Sequence, residues 1–84
     1  FISQNYPNPF NPSTTIGYGL PHRSHVTIGV FNALGQLLVQ LVDAFQEAGY
    51  HETIFDGMKL ASGVYFCRLQ ADTFAQTVKI VLVR

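Results

Sequence analysis

Apolar and polar residues alternate along most of this chain, and turn-forming residues break the alternation roughly every 8–12 positions. A period of two sends successive side chains to opposite faces of an extended backbone, so each run can cover one side of a core. Ile16, Tyr18 and Leu20 alternate with Thr15, Gly17 and Gly19 until Pro21 ends the run. After a turn at His22-Arg23-Ser24, Val26, Ile28 and Val30 alternate with Thr27, Gly29 and Phe31. Asn32 to Gly35 reads as a tight connection, with Gly35 supplying a positive φ. Gln36 to Ala44 obeys no single period: Leu37, Leu38, Val39, Leu41 and Val42 suit a strand with a β-bulge or one covered on both faces, with a short helix as the alternative. Tyr50 to Asp56 is a further strand, closed by an Asp56-Gly57 turn, and Met58 to Ser62 is loop. From Gly63 the chain is extended again, with Tyr65, Cys67 and Leu69 on one face and Arg68 and Gln70 on the wetter one. An Ala71-Asp72-Thr73 turn leads to the last strand, Phe74 to Arg84, in which Val78, Ile80 and Leu82 face one way.

Six or seven short strands joined by hairpin-length connections make an all-β, mainly antiparallel fold, and the lack of intervening helices excludes a parallel βαβ sheet. Pattern alone fits both a Greek-key sandwich and a small barrel. Eighty-four residues make one domain. Within it, residues 1–13 form a lead-in in which Pro7, Pro9 and Pro12 interleave with Asn5, Asn8 and Asn11, and residues 14–84 carry the strands. Proline fixes φ and holds its predecessor extended, while Asn turns on its own backbone, so the lead-in is stiff and non-helical.

Charge narrows the partners. The net charge is zero with neutral histidines, so neither nucleic acid nor an anionic membrane is expected as the partner. Charged residues make up only 12 % of the chain, which suits either a surface shielded by a neighbour or a merely apolar domain, and it leaves self-association open. The single Cys67 rules out an internal disulfide, and no apolar run reaches the ~18–20 residues of a membrane span. With no initiating Met and no signal-peptide pattern, the chain reads as a fragment of something longer.

No set of residues makes an enzyme. Asp43, Glu47, Glu52, Asp56 and Asp72 stand beside turns rather than as a catalytic pair. His22, His25 and His51 lack the paired Cys/His spacing of a zinc site. Cys67 lies mid-strand on the apolar face, where it reads as a small core residue, and Ser62-Gly63 lacks the strand-to-helix elbow of a serine hydrolase. No cofactor, metal or phosphate-binding loop is expected.

Taken in order, the remaining blocks form one pattern: Asn5-Tyr6-Pro7-Asn8-Pro9-Phe10-Asn11-Pro12-Ser13-Thr14-Thr15-Ile16, then Leu20-Pro21, Val30-Phe31-Asn32-Ala33-Leu34-Gly35-Gln36, Ala48-Gly49-Tyr50-His51, Leu60-Ala61-Ser62-Gly63-Val64-Tyr65-Phe66 and Lys79-Ile80-Val81-Leu82-Val83-Arg84. Over essentially its whole length the chain resembles the type A C-terminal sorting domain of type IX secretion, a family related to the immunoglobulin-like domain of flagellar-hook capping proteins. The resemblance implies an immunoglobulin-like antiparallel β-sandwich. It also implies a non-catalytic signal that directs an N-terminal cargo domain through the periplasm and across the outer membrane of a Gram-negative bacterium, to the cell surface or the medium. The implied partners are the type IX translocon and a sortase-like cysteine peptidase, which removes the domain and attaches or releases the cargo. Where the blocks match, the implied recognition residues are Asn8, Pro9, Phe10, Gly63, Tyr65, Lys79 and Arg84, each with a folding role as its alternative. The closing strand is expected to end free, open to strand addition at a sheet edge.

The chain departs from the family pattern at Phe55, where Trp is usual, and at Cys67, where Tyr is common. Gly17, Gly19 and Gly29 are expected to thin their strands, and these departures together to shrink the core, an aromatic reduced to a smaller residue costing ~1–3 kcal/mol where packing does not adjust. Two other functions fit the same features. One is a carbohydrate- or domain-binding module using Tyr6, Phe10, Tyr18 and Tyr50 as a platform; the other is a passive spacer.

Overall fold

The alternating runs become six strands in the computed structural model, which describes residues 1–84. They are β1 (Ser13–Leu20), β2 (Ser24–Phe31), β3 (Leu37–Gln46), β4 (Gly49–Asp56), β5 (Gly63–Ala71) and β6 (Phe74–Leu82). All paired strands run antiparallel, in a small sheet of order β1-β4 and a larger sheet of order β3-β2-β5-β6. The two sheets face each other as an immunoglobulin-like β-sandwich, with no helix. Ile16, Tyr18, Leu20 and Phe55 from the small sheet meet Val26, Ile28, Val30, Cys67, Leu69, Ile80 and Leu82 from the large one in a single buried cluster. These are the inward positions of the period-two pattern, whose burial drives the fold at about 1.5–3 kcal/mol per large side chain.

The segment Leu37–Gln46 is a strand and not a helix. Two register shifts against β2, between Ile28 and Gly29 and between Val30 and Phe31, insert extra residues and break its alternation. It is not covered on both faces, since Leu37, Leu38, Val39 and Phe45 are exposed on this sheet edge.

The lead-in is the seventh extended element in all but length, and it joins both sheets. Its first half lies along the outer edge of β1. The Ser3 N–H donates to the Gly17 carbonyl at 2.8 Å, and Tyr6 and Thr15 exchange backbone bonds at 3.0 and 2.9 Å. Its second half lies parallel to the end of β6, where the Phe10 N–H donates to the Val81 carbonyl and the Val83 N–H donates to the Phe10 carbonyl, both at 2.9 Å. Between the two contacts, the Asn5 amide donates to the Pro7 carbonyl and to Thr14 Oγ1, which itself donates to Pro7. Asn5 is buried and fully partnered, as a buried amide must be. Ile2 and Phe10 insert into the core, and Phe10 meets Phe55 edge-to-face at 5.8 Å.

Two expectations therefore change. The closing strand does not end free: the lead-in occupies its outer edge around Val81 and Val83, and Gln4 Nε2 donates to the Lys79 carbonyl at 2.8 Å. Nor do the three glycines shrink the core, because all three alternate with inward residues and face outward. The Tyr50 ring lies over Gly17, the Phe1 ring over Gly19, and Leu37 with Phe31 over Gly29. They are seats for neighbouring side chains, as when an aromatic ring covers a glycine across a strand pair.

Candidate functional site

The groups that could do chemistry are each engaged elsewhere. Cys67 is fully buried, and burial pushes its thiol up to about 12, so it stays protonated and inert at neutral pH. His22 meets Asp72 at 3.0 Å, His25 meets Asp43 at 2.9 Å, and His51 stacks on Tyr18 with its Nε2 at 2.7 Å from the Glu47 carbonyl. Three histidines with three different partners do not converge on one ion, and no cluster of His, Cys, Asp and Glu could hold a metal. Glu47 pairs with Arg23 at 3.0 Å, Glu52 accepts from Tyr50 Oη, and Asp56 Oδ1 accepts the Met58 N–H in its turn. The aromatic platform does not form either. Phe10 and Tyr18 lie in the core, while Tyr6 and Tyr50 are exposed.

Six of the seven residues marked by the family blocks gather at one end of the sandwich, around the junction of lead-in, β5 and β6. Asn8 Oδ1 accepts the Val81 N–H at 3.1 Å, and Phe10 bonds Val81 and Val83 through its backbone while its ring fills the core. Pro9, exposed between them, has no N–H with which to recruit a further strand. Gly63, with φ at 155°, opens β5 opposite Leu82. Tyr65 is buried, and its hydroxyl donates to the Ala61 carbonyl at 2.6 Å. Arg84 folds back: one guanidinium nitrogen donates to the Met58 carbonyl and, at 2.5 Å, to that of Leu60, and its backbone N–H donates to Ser62 Oγ at 3.0 Å. Charged donors fit there because these loop carbonyls lack strand partners. Lys79 is the exception, standing exposed on the outer face of the large sheet opposite Phe66.

The rings of Phe10 and Tyr65 thus fill this end from within, while Asn8 and Arg84, both exposed, bond its backbone from the surface. Beside them the end presents Pro9, Met58, Lys59, Val64 and Val83 outward. Gln4, which the sequence does not single out, belongs to the same construction, as does Ser62 in accepting the Arg84 N–H. A glutamine or serine that bonds a strand distant in the chain leaves no local periodicity to read.

The family model described as the secretion system C-terminal sorting domain matches residues 4–83. Neither the curated proteins nor the solved structures give a match.

Proposed function

Since this chain belongs to the secretion system C-terminal sorting domain family, we propose that its folded sandwich is the signal itself, presented at the end where lead-in and terminal strand meet. The observation that carries this reading is the family match across nearly the whole chain. As a type IX sorting domain it serves a cargo exported to the cell surface or the medium of a Gram-negative bacterium. The finer steps are part of the proposal. The translocon reads the surface around Asn8, Pro9, Phe10, Gly63, Tyr65, Lys79 and Arg84. A sortase-like cysteine peptidase then removes the domain and attaches or releases the N-terminal cargo.

The chemistry expected of such a signal is recognition by shape. The buried members of the set fix the local backbone, and Arg84 locks the loop of residues 58–62 against the terminal strand. A β-sheet edge is ordinarily read by main-chain pairing. Here the edge at Val81 and Val83 is already paired with the lead-in, so a reader meets a closed edge bounded by prolines. The test is export of a periplasmic reporter fused ahead of Phe1–Arg84 in a host with a type IX system. Appearance of the reporter outside the cell supports the reading; an intact, folded fusion retained in the periplasm refutes it.

A further inference from the structure

The ten formally charged side chains are not spread evenly. Each of the five carboxylates has a local partner: Asp43 with His25, Glu47 with Arg23, Glu52 with Tyr50, Asp56 with the Met58 N–H, and Asp72 with His22. Of the five cations, Arg23 is paired and Arg84 is held by loop carbonyls. Lys59, Arg68 and Lys79 have no ion-pair partner. Two of these three share one surface. On the outer face of the large sheet Arg68 stands opposite Thr77, and Lys79 stands opposite Phe66. The two cations are therefore diagonal neighbours, with Cα atoms about 7–8 Å apart.

The ground around Arg68 is shaped. A shallow hollow of about 140 Å³ lies on one side, between Thr27, Gln40 and Gln70 and beside the Leu37 and Phe31 side chains that cover Gly29. A second hollow of about 260 Å³ lies on the other, bordered by Phe66 and Thr77. Arg68 and Phe31 line both. The only carboxylate of β2, β3, β5 or β6 is Asp43, which is engaged by His25. A lone surface arginine is explained by solvation alone. An unpaired guanidinium between two hollows, with a second cation diagonal to it and phenylalanine rings alongside, matches a docking surface.

We propose that this face is the docking site for a protein of the export machinery that presents an Asp or Glu carboxylate, flanked by apolar side chains, to Arg68. The inference rests on the sorting-signal reading and names the chemistry of its partner. A guanidinium offers a planar fork of N–H donors that fits one carboxylate in bidentate fashion. Lys79 adds attraction at longer range, which steers encounter and is screened by salt. Phosphate-bearing ligands fit less well, because phosphate sites draw on unpaired backbone N–H groups and the interior of a sheet face has none to offer.

The experiment uses the reporter fusion in exporting cells, with Arg68→Glu, Arg68→Lys and, as a charge-matched control at the other end of the sandwich, Arg23→Glu. Export should fall at least tenfold in R68E, fall less in R68K, and stay near the parent level in R23E, with all three domains melting within a few degrees of the parent. Benzoylphenylalanine placed at Gln70 should crosslink in cells to a protein segment containing Asp or Glu, and R68E should abolish the adduct. Unchanged export in R68E while the parent is exported overturns the docking site and leaves the sorting-signal reading intact. A crosslink only to polysaccharide or lipid, or to a segment without an acid, also overturns it. A parent fusion that is not exported defeats the sorting-signal reading instead.

Discussion

At the scale of single residues, burial decides what Cys67 and Phe10 can do, and hydrogen bonds to loop carbonyls decide what Arg84 does. The Cys67 thiol is raised from 9.0 to about 12, so between those values the unfolded chain releases a proton that the folded chain keeps. Stability is therefore complete below pH 9 and declines as pH rises toward 12, with a limiting slope of about 1.4 kcal/mol per pH unit. Burial also raises Tyr18, and this acts in the same direction from pH 10 upward. Urea melts at pH 7, 9 and 10 should show the decline, and Cys67→Ala should flatten it between pH 9 and 10. Phe10 is 1 % exposed and touches Phe55. Phe10→Ala should cost about 3–5 kcal/mol, much of the stability of so small a domain, and thermal unfolding will measure it. Arg84→Ala should leave the core intact but speed amide exchange at Leu60, whose N–H is bonded only to Gly57 within the loop that Arg84 clamps.

Among the elements, the lead-in carries the most consequence. It pairs with β1 at one end and β6 at the other, so removing residues 1–12 bares two sheet edges at once and empties the sites of Ile2 and Phe10. The shortened chain should self-associate, as unprotected edges do, and light scattering against the full chain will show it. How well each element can be read from sequence follows from how local its cause is. β1, β2, β5 and β6 are legible because their alternating residues face one core. β3 is ambiguous because its bulges insert residues that spoil the period, and no sheet covers its edge. The pairing of the lead-in with β6 is hidden, since Asn8 and Val81 stand 73 positions apart and backbone hydrogen bonds leave no trace in side-chain type. The glycines mislead for a similar reason, as Tyr50 and Phe1 fill the space above them from other elements. Of the candidate site, the family blocks identify the residues but not the contacts they make, which depend on partners contributed by distant segments.

The whole molecule is two sheets, one core, and an end where the lead-in and the terminal strand bind each other. If the folded shape is the signal, export must depend on the fraction of molecules folded. The most direct measurement is the exported fraction of the reporter across core variants of graded stability, such as Ile80→Val, Ile80→Ala and Phe10→Ala, compared with the folded fraction of each isolated domain. The two should rise and fall together, with the least stable variant retained in the periplasm. Full export of a variant that is unfolded at the growth temperature would contradict the account, because a linear stretch of sequence would then suffice.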